Sequence, residues 1–190
     1  MDAPVRVAIV RGLLGCAAIF DATSFCFGQS DATPPPAYNF AAQRAGVPSN
    51  ILFAVTLQES GVTIRGKRLP WPWTLSIAGR AHYYATREQA CQALQTNLKQ
   101  VPAFRIDVGL AQINLGYQRR FYRHPCEVLS PHKNLLIAAT ILREQHRAGE
   151  DWLMSAGRYH RPSGGELADR YRRRVGSHLK EMALKGYIHP

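Results

Sequence analysis

The sequence predicts a mostly α-helical domain that carries one small β-hairpin. Apolar-rich segments recur between residues that start or stop helices, and only residues 73–77 alternate apolar and polar side chains as a strand does. The composition, 46% hydrophobic and 19% charged over 190 residues, suits one packed globular domain rather than a disordered chain.

The elements follow in chain order. "SDATPPPAYN" (30–39) is a stiff proline-rich linker, so the folded domain is expected from residue 38. "YNFAAQRAG" reads as a short helix closed by Gly46, which supplies left-handed cap geometry. Pro48 suits the first turn of the next helix, which runs to about Ser60 and is stopped by Gly61. Trp73, Leu75 and Ile77 alternate with Thr74 and Ser76, and "AGRA" turns that strand into a hairpin with "HYYAT". Thr86 and Gln89 form a T-x-x-Q capping box for "REQACQALQTNLKQ", a helix that ends before Pro102. "FRIDVGLAQINLGY" (104–117) reads as extended and glycine-punctuated. After "HPCEVLSP", the stretch "KNLLIAATILREQHRAG" forms a long apolar helix ending at Gly149. Asp151 caps "WLMSAGRYH", "PSGG" breaks the chain, and a last helix spans roughly 166–185 with Gly186 after it. No internal repeat is present.

Residues 1–28 carry a leader pattern. Arg6 and Arg11 precede an apolar run from Gly12 to Phe27, interrupted by Asp21, with small Cys26 and Gly28 where a signal peptidase reads. The expected organisation is a signal peptide over 1–28, a linker over 29–37 and an exported domain over 38–190. The alternative for the leader is a core helix or a membrane anchor. "LLGC" at 13–16 loosely resembles a lipoprotein site, but the apolar stretch before Cys16 is short and broken by Arg11, which argues against anchoring there. Without Cys16 and Cys26, only Cys91 and Cys126 remain. In an oxidising compartment they are expected to pair, a link worth roughly 3–4 kcal/mol on the chain-entropy model; two buried free thiols are the alternative.

The net charge of +11 and the pI near 10.0 favour an anionic partner: nucleic acid, a membrane surface or a wall polymer. Residues 158–185 concentrate eight Arg or Lys against three acids. That run lacks a base-reading element or an aromatic stacking platform, so no nucleic-acid partner is expected. It reads as the solvated face of the last helix, with Tyr171 and Val175 on the buried side. The seven histidines show no H-E-x-x-H or C-x-x-C companion, and neither a metal nor a cofactor is expected.

Glu59 stands out. The nine residues from Ile51 to Glu59 include six apolar ones, and the run ends in a carboxylate where the helix macrodipole is already negative. A surface position explains most glutamates at helix ends. A carboxyl in a partly apolar cleft would instead hold its proton near neutral pH and serve as a general acid.

Four segments in order, "QESG" (58–61), "GLAQIN" (109–114), "NLL" (134–136) and "AGRYH" (156–160), resemble the soluble lytic transglycosylase (SLT) family, over roughly residues 38–175. The resemblance implies a goose-type lysozyme-like helical domain, here with a small β-hairpin insertion. It implies that Glu59 is the catalytic acid/base and that Ser60 orients a sugar substituent or the acid. Gln112 and Asn114 would contact the glycan, with Gly109 allowing close approach. Tyr159 would donate its hydroxyl toward the glutamate or an N-acetyl group, and Asn134 would be structural. His160 replaces the family's asparagine, and "RPSGG" replaces its short turn. "LPWPWTLSIAG" (69–79) is similar to a subset associated with conjugation and type IV secretion. There Trp71 and Trp73 either stack on sugars or anchor the hairpin to the core.

The implied activity is that of a periplasmic peptidoglycan lytic transglycosylase. It would cleave the N-acetylmuramic acid–N-acetylglucosamine bond and leave 1,6-anhydro ends, in the service of a secretion or conjugation apparatus. The alternatives are a hydrolytic lysozyme with Asp107 as second carboxylate, and a non-catalytic wall-binding assembly factor on the same fold. The plainer role for Asp107 is that its carboxylate merely satisfies backbone N–H groups in its own loop.

Overall fold

A computed structural model describes residues 34–185. The expected signal peptide, the Cys16 and Cys26 sites, most of the linker and Gly186 lie outside the described residues. The described chain is mostly helical with small antiparallel sheets: six α-helices and two sheets.

The first helix, α1 (Pro36–Ala45), starts two residues before the expected domain start. Pro36 occupies its first turn, where a missing N–H costs nothing, and Gly46 closes it in the left-handed region at φ 66°. Next comes α2 (Ser49–Ser60). Leu52, Phe53, Ala54 and Val55 are each at most 1% exposed, so this helix is apolar all round and threads the core. Its C-terminal carbonyls are satisfied from outside the helix. Arg68 Nη2 donates to Leu57 O (3.4 Å) and the Trp71 N–H to Ser60 O (3.0 Å).

The insertion is richer than the single expected hairpin. Strands β1 (Gly61–Ile64) and β2 (Lys67–Pro70) form a first hairpin; β3 (Thr74–Ile77) and β4 (Arg80–Tyr83) form the expected one. Both turns place two residues at positive φ: Arg65 and Gly66 at 49° and 77°, Ala78 and Gly79 at 51° and 83°. That is the geometry that matches strand twist. The segment read as simply extended contributes β5 (Ile106–Val108) and β6 (Ile113–Asn114), joined by a tight loop, and the second sheet runs β4-β3-β5-β6.

Both tryptophans serve the hairpins. Trp71 Nε1 donates to Tyr84 O (2.7 Å), Trp73 packs on the core with its Nε1 buried and unpartnered, and their rings meet edge to face at 5.8 Å.

Helix α3 (Arg87–Asn97) opens on the expected cap, with the Thr86 side chain accepting from Gln89 N. It is tied to the 3-10 turn Pro125–Leu129 by the Cys91–Cys126 disulfide, Cα–Cα 5.3 Å, and by Arg87 donating to Cys126 O (3.0 Å). Helices α4 (Pro131–Glu144), α5 (Trp152–His160), capped by Asp151, and α6 (Glu166–Lys185) complete the body. Here α1 packs on α4, and α6 packs on both α5 and α2. The α5–α6 approach is close because Gly157 has no Cβ, which would sit 3.0 Å from Ala168 O. Tyr171, Val175 and Met182 form the buried side of α6. Among the described residues, no helix is long and apolar enough to cross a membrane and no cluster suits a metal ion.

Candidate active site

The four motif segments converge on one loop, residues 109–112 between β5 and β6. Its geometry is demanding: Gly109 has φ 82° and Gln112, a non-glycine, has φ 47°. A Cβ on Gly109 would collide with the Asn134 side chain. The loop's backbone is fastened group by group. Gly109 N–H donates to Thr74 O (2.8 Å). Ser60 Oγ donates to Leu110 O (2.7 Å), and Asn134 Oδ1 accepts from Ala111 N (2.9 Å). Tyr159 Oη donates to Ala111 O (2.7 Å), and Gln112 Nε2 to Gly109 O (2.9 Å). Asn134 is 1% exposed, and its Nδ2 also serves Val108 O (2.8 Å) and Val128 O (3.0 Å).

This arrangement revises several expected roles. Ser60 is 1% exposed and donates its hydroxyl to Leu110 O, so here it fastens the loop. Tyr159 does not donate to Glu59, because its hydroxyl is already committed to the loop. Asn114 is also occupied. Its Nδ2 donates to Phe104 O (2.9 Å) and Asp107 Oδ1 (2.8 Å), and its Oδ1 accepts from Gly116 and Tyr117 N–H (both 3.1 Å). Gln112 uses Nε2 within the loop, also toward Thr74 O (3.3 Å), and keeps partial exposure.

Glu59 sits beside this loop, one residue before Ser60, at the end of α2. Its carboxyl is pushed up to about 7, first by burial. The nearby Asp107 carboxylate adds to the rise, and a hydrogen bond from Tyr171 works against it. That bond was not foreseen in the sequence: Tyr171 Oη donates to Glu59 Oε1 at 2.6 Å, from α6, 112 residues away. The Tyr171 and Tyr159 hydroxyls are both held well above their usual range by burial and the Glu59 charge, so they act as donors and stay protonated. His160 lies flat on the Tyr171 ring, centroids 4.6 Å apart and planes 4° from parallel.

Asp107 belongs to the same neighbourhood. Burial raises its pKa, while hydrogen bonds from Asn114 and Ser76 and the His160 charge lower it. It is therefore more than a local loop acceptor, since its charge is felt by Glu59, Tyr159 and His160. The assembled site offers one carboxyl poised near neutral pH with a fixed donor on one oxygen, and a second carboxylate nearby. It can give a proton to a leaving oxygen and take one back. Comparison with family models, curated proteins and solved structures returns no match.

Proposed function

We propose that this protein is a peptidoglycan lytic transglycosylase with a lysozyme-like helical body, acting in the periplasm. The observation that carries the reading is the Glu59 carboxyl, poised at about 7 at the end of a buried helix and hydrogen-bonded by Tyr171. The order of the motifs and their convergence on the 109–112 loop support it. So does the Cys91–Cys126 disulfide, which fits an oxidising compartment.

With Tyr171 occupying Oε1, the transferable proton sits on Oε2. Glu59 gives it to the glycosidic oxygen between N-acetylmuramic acid and N-acetylglucosamine, and that C–O bond breaks. The N-acetyl carbonyl of the same muramic acid stabilises the positive charge developing at C1. Glu59, now ionised, removes the proton from the C6 hydroxyl, whose oxygen closes on C1 to form the 1,6-anhydro ring. The carboxyl ends protonated as it began, and no water is consumed. This is a substrate-assisted route, outside the usual pairing of two carboxyl groups. Action at a secretion or conjugation channel is the biological setting we assign, from the likeness of "LPWPWTLSIAG".

One observation favours a second reading. Asp107 is electrostatically coupled to Glu59 and held by Asn114, as a carboxylate that activates water would be. Mass analysis of muropeptides released from purified peptidoglycan separates the two. Transglycosylation gives products lighter by one water than ordinary muropeptides; hydrolysis gives reducing ends. We expect anhydro products, and a Glu59→Gln protein that folds normally yet loses about 10²–10⁴-fold in rate. A folded, fully active Gln variant would sink the assignment. Binding to the wall without either product would make the protein an assembly factor.

A further inference from the structure

We propose that His160 is a positioning residue for the general acid: its imidazole, stacked flat on the Tyr171 ring, fixes the direction in which Tyr171 donates to Glu59. Three helices meet at this point. Glu59 ends α2, His160 ends α5 and Tyr171 lies on α6. The phenolic hydrogen prefers the plane of its ring, so the ring's rotation about χ2 decides where the O–H points. That torsion is intrinsically broad. Packing must therefore choose the ring plane, and the surface that does so is the His160 imidazole, 4.6 Å away and 4° from parallel.

The arrangement is economical in charge. Around His160 stand Arg161 beyond the end of α5, Arg174 on α6 and Asp107 on β5. Burial is the main effect lowering the His160 pKa; the two arginines also lower it and Asp107 raises it. Burial and the two arginines thus favour the uncharged ring in the stack. On the other side, Glu59 faces Tyr171 and Asp107, and Tyr159 feels both carboxylates. His178 and Arg68 lie near one another, with His178 bonded to Gln58 (3.2 Å) rather than Glu59.

The inference rests on Glu59 being the acid of the proposed reaction, but its test needs no turnover. The Glu59 carboxyl is titrated by ¹³C NMR in the full-length protein labelled at glutamate, with Glu59→Gln assigning the resonance. Tyr171→Phe removes a hydrogen bond to the charged form and should raise the midpoint by about one pH unit, a tenfold change in ionisation. His160→Ala should raise it by about half a unit, and His160→Leu, which fills the space without a flat ring, should do the same. His160→Phe, which keeps a flat ring without charge, should restore the wild-type midpoint. His160→Ala should add nothing in the Tyr171→Phe background.

An unchanged midpoint in His160→Ala and His160→Leu overturns the proposal. So does a His160→Phe protein that titrates like His160→Ala, which would make His160 a charge rather than a support. Persistence of the shift without the Tyr171 hydroxyl overturns it too. If the protein instead fails to cleave wall polymer, the proposed function falls while this titration still reads the His160–Tyr171–Glu59 relay.

Discussion

At the scale of single residues, Glu59 works against the stability of the fold it serves. A free glutamate carboxyl titrates near 4.5, and this one is pushed up to about 7. Below about pH 4.5 it is protonated whether the chain is folded or not, and nothing is lost. As the pH rises toward 7 the unfolded chain releases this proton while the folded one retains it. Stability therefore drains away across that window, and the full cost remains above it. Glu59→Gln removes the cost. It should be more stable than the wild type by on the order of 3 kcal/mol at pH 8, and nearly equal to it at pH 4, by chemical denaturation. A gap that stays constant from pH 4 to 8 would show that Glu59 ionises as a surface carboxylate does, and would remove the basis for its role. If Glu59 is the acid of the proposed reaction, its protonated carboxyl is kept at a standing cost in stability, as strained or buried functional groups often are.

At the scale of elements, the 109–112 loop is held by side chains from α2, α4 and α5 as well as by its own glutamine. Asn134 contributes three of those bonds from the first turn of α4. Asn134→Ala would remove three buried hydrogen bonds to the loop and its flanks, at a cost of roughly 2–4 kcal/mol. Asn134→Asp should be at least as damaging, because a carboxylate cannot donate to the carbonyls of Val108 and Val128 and would face them with a buried charge. Denaturation of both variants checks the order; an alanine variant within about 0.5 kcal/mol of wild type would show that the loop holds itself.

The helices around this loop were legible because their signals are local: Gly46, the Thr86–Gln89 pair and Asp151 each act within a few residues. The first hairpin was not: it turns on Arg65–Gly66 just as the second turns on Ala78–Gly79, but β1 and β2 contain no fully buried residue and so lack the core-facing pattern that marks β3. In the site, the sequence brought forward Glu59, Gln112, Asn114, Ser60 and Tyr159, and they do assemble around one loop. Most of them fasten it, however, and their hydroxyls and amides are committed within the protein. The partner of Glu59 was hidden for a plain reason. Tyr171 carries the periodicity of a buried helix face, and nothing within α6 reports that its hydroxyl ends on a carboxyl 112 residues away.

At the scale of the molecule, the chain closes a sheet-bearing lobe against a helical body, and the 109–112 loop lies where the two meet. The lobe's outer helix, α3, buries little beyond Ala90 and Leu94. Its hold on the rest comes from the Cys91–Cys126 bond, from Arg87 to Cys126 O, and from contacts with the 3-10 turn and β3. A helix with so small an apolar face is marginal alone, so the cross-link governs whether it stays docked. Reduction, or Cys91→Ser with Cys126→Ser, should lower stability by roughly 3–4 kcal/mol in the chain-entropy account. The loss should be local in its dynamics. Amide exchange should quicken in residues 87–97 and 125–129, while α2 and α4, packed in the core, keep their protection. The proposed wall cleavage should persist in the reduced protein at moderate temperature, because Glu59, Tyr171 and the loop clasps come from other elements. Thiol labelling with peptide mapping gives the prior check, since neither Cys91 nor Cys126 should react without reductant, folded or denatured. Labelling at both would mean that the lobe is held by packing alone and that the oxidising compartment has lost its structural support.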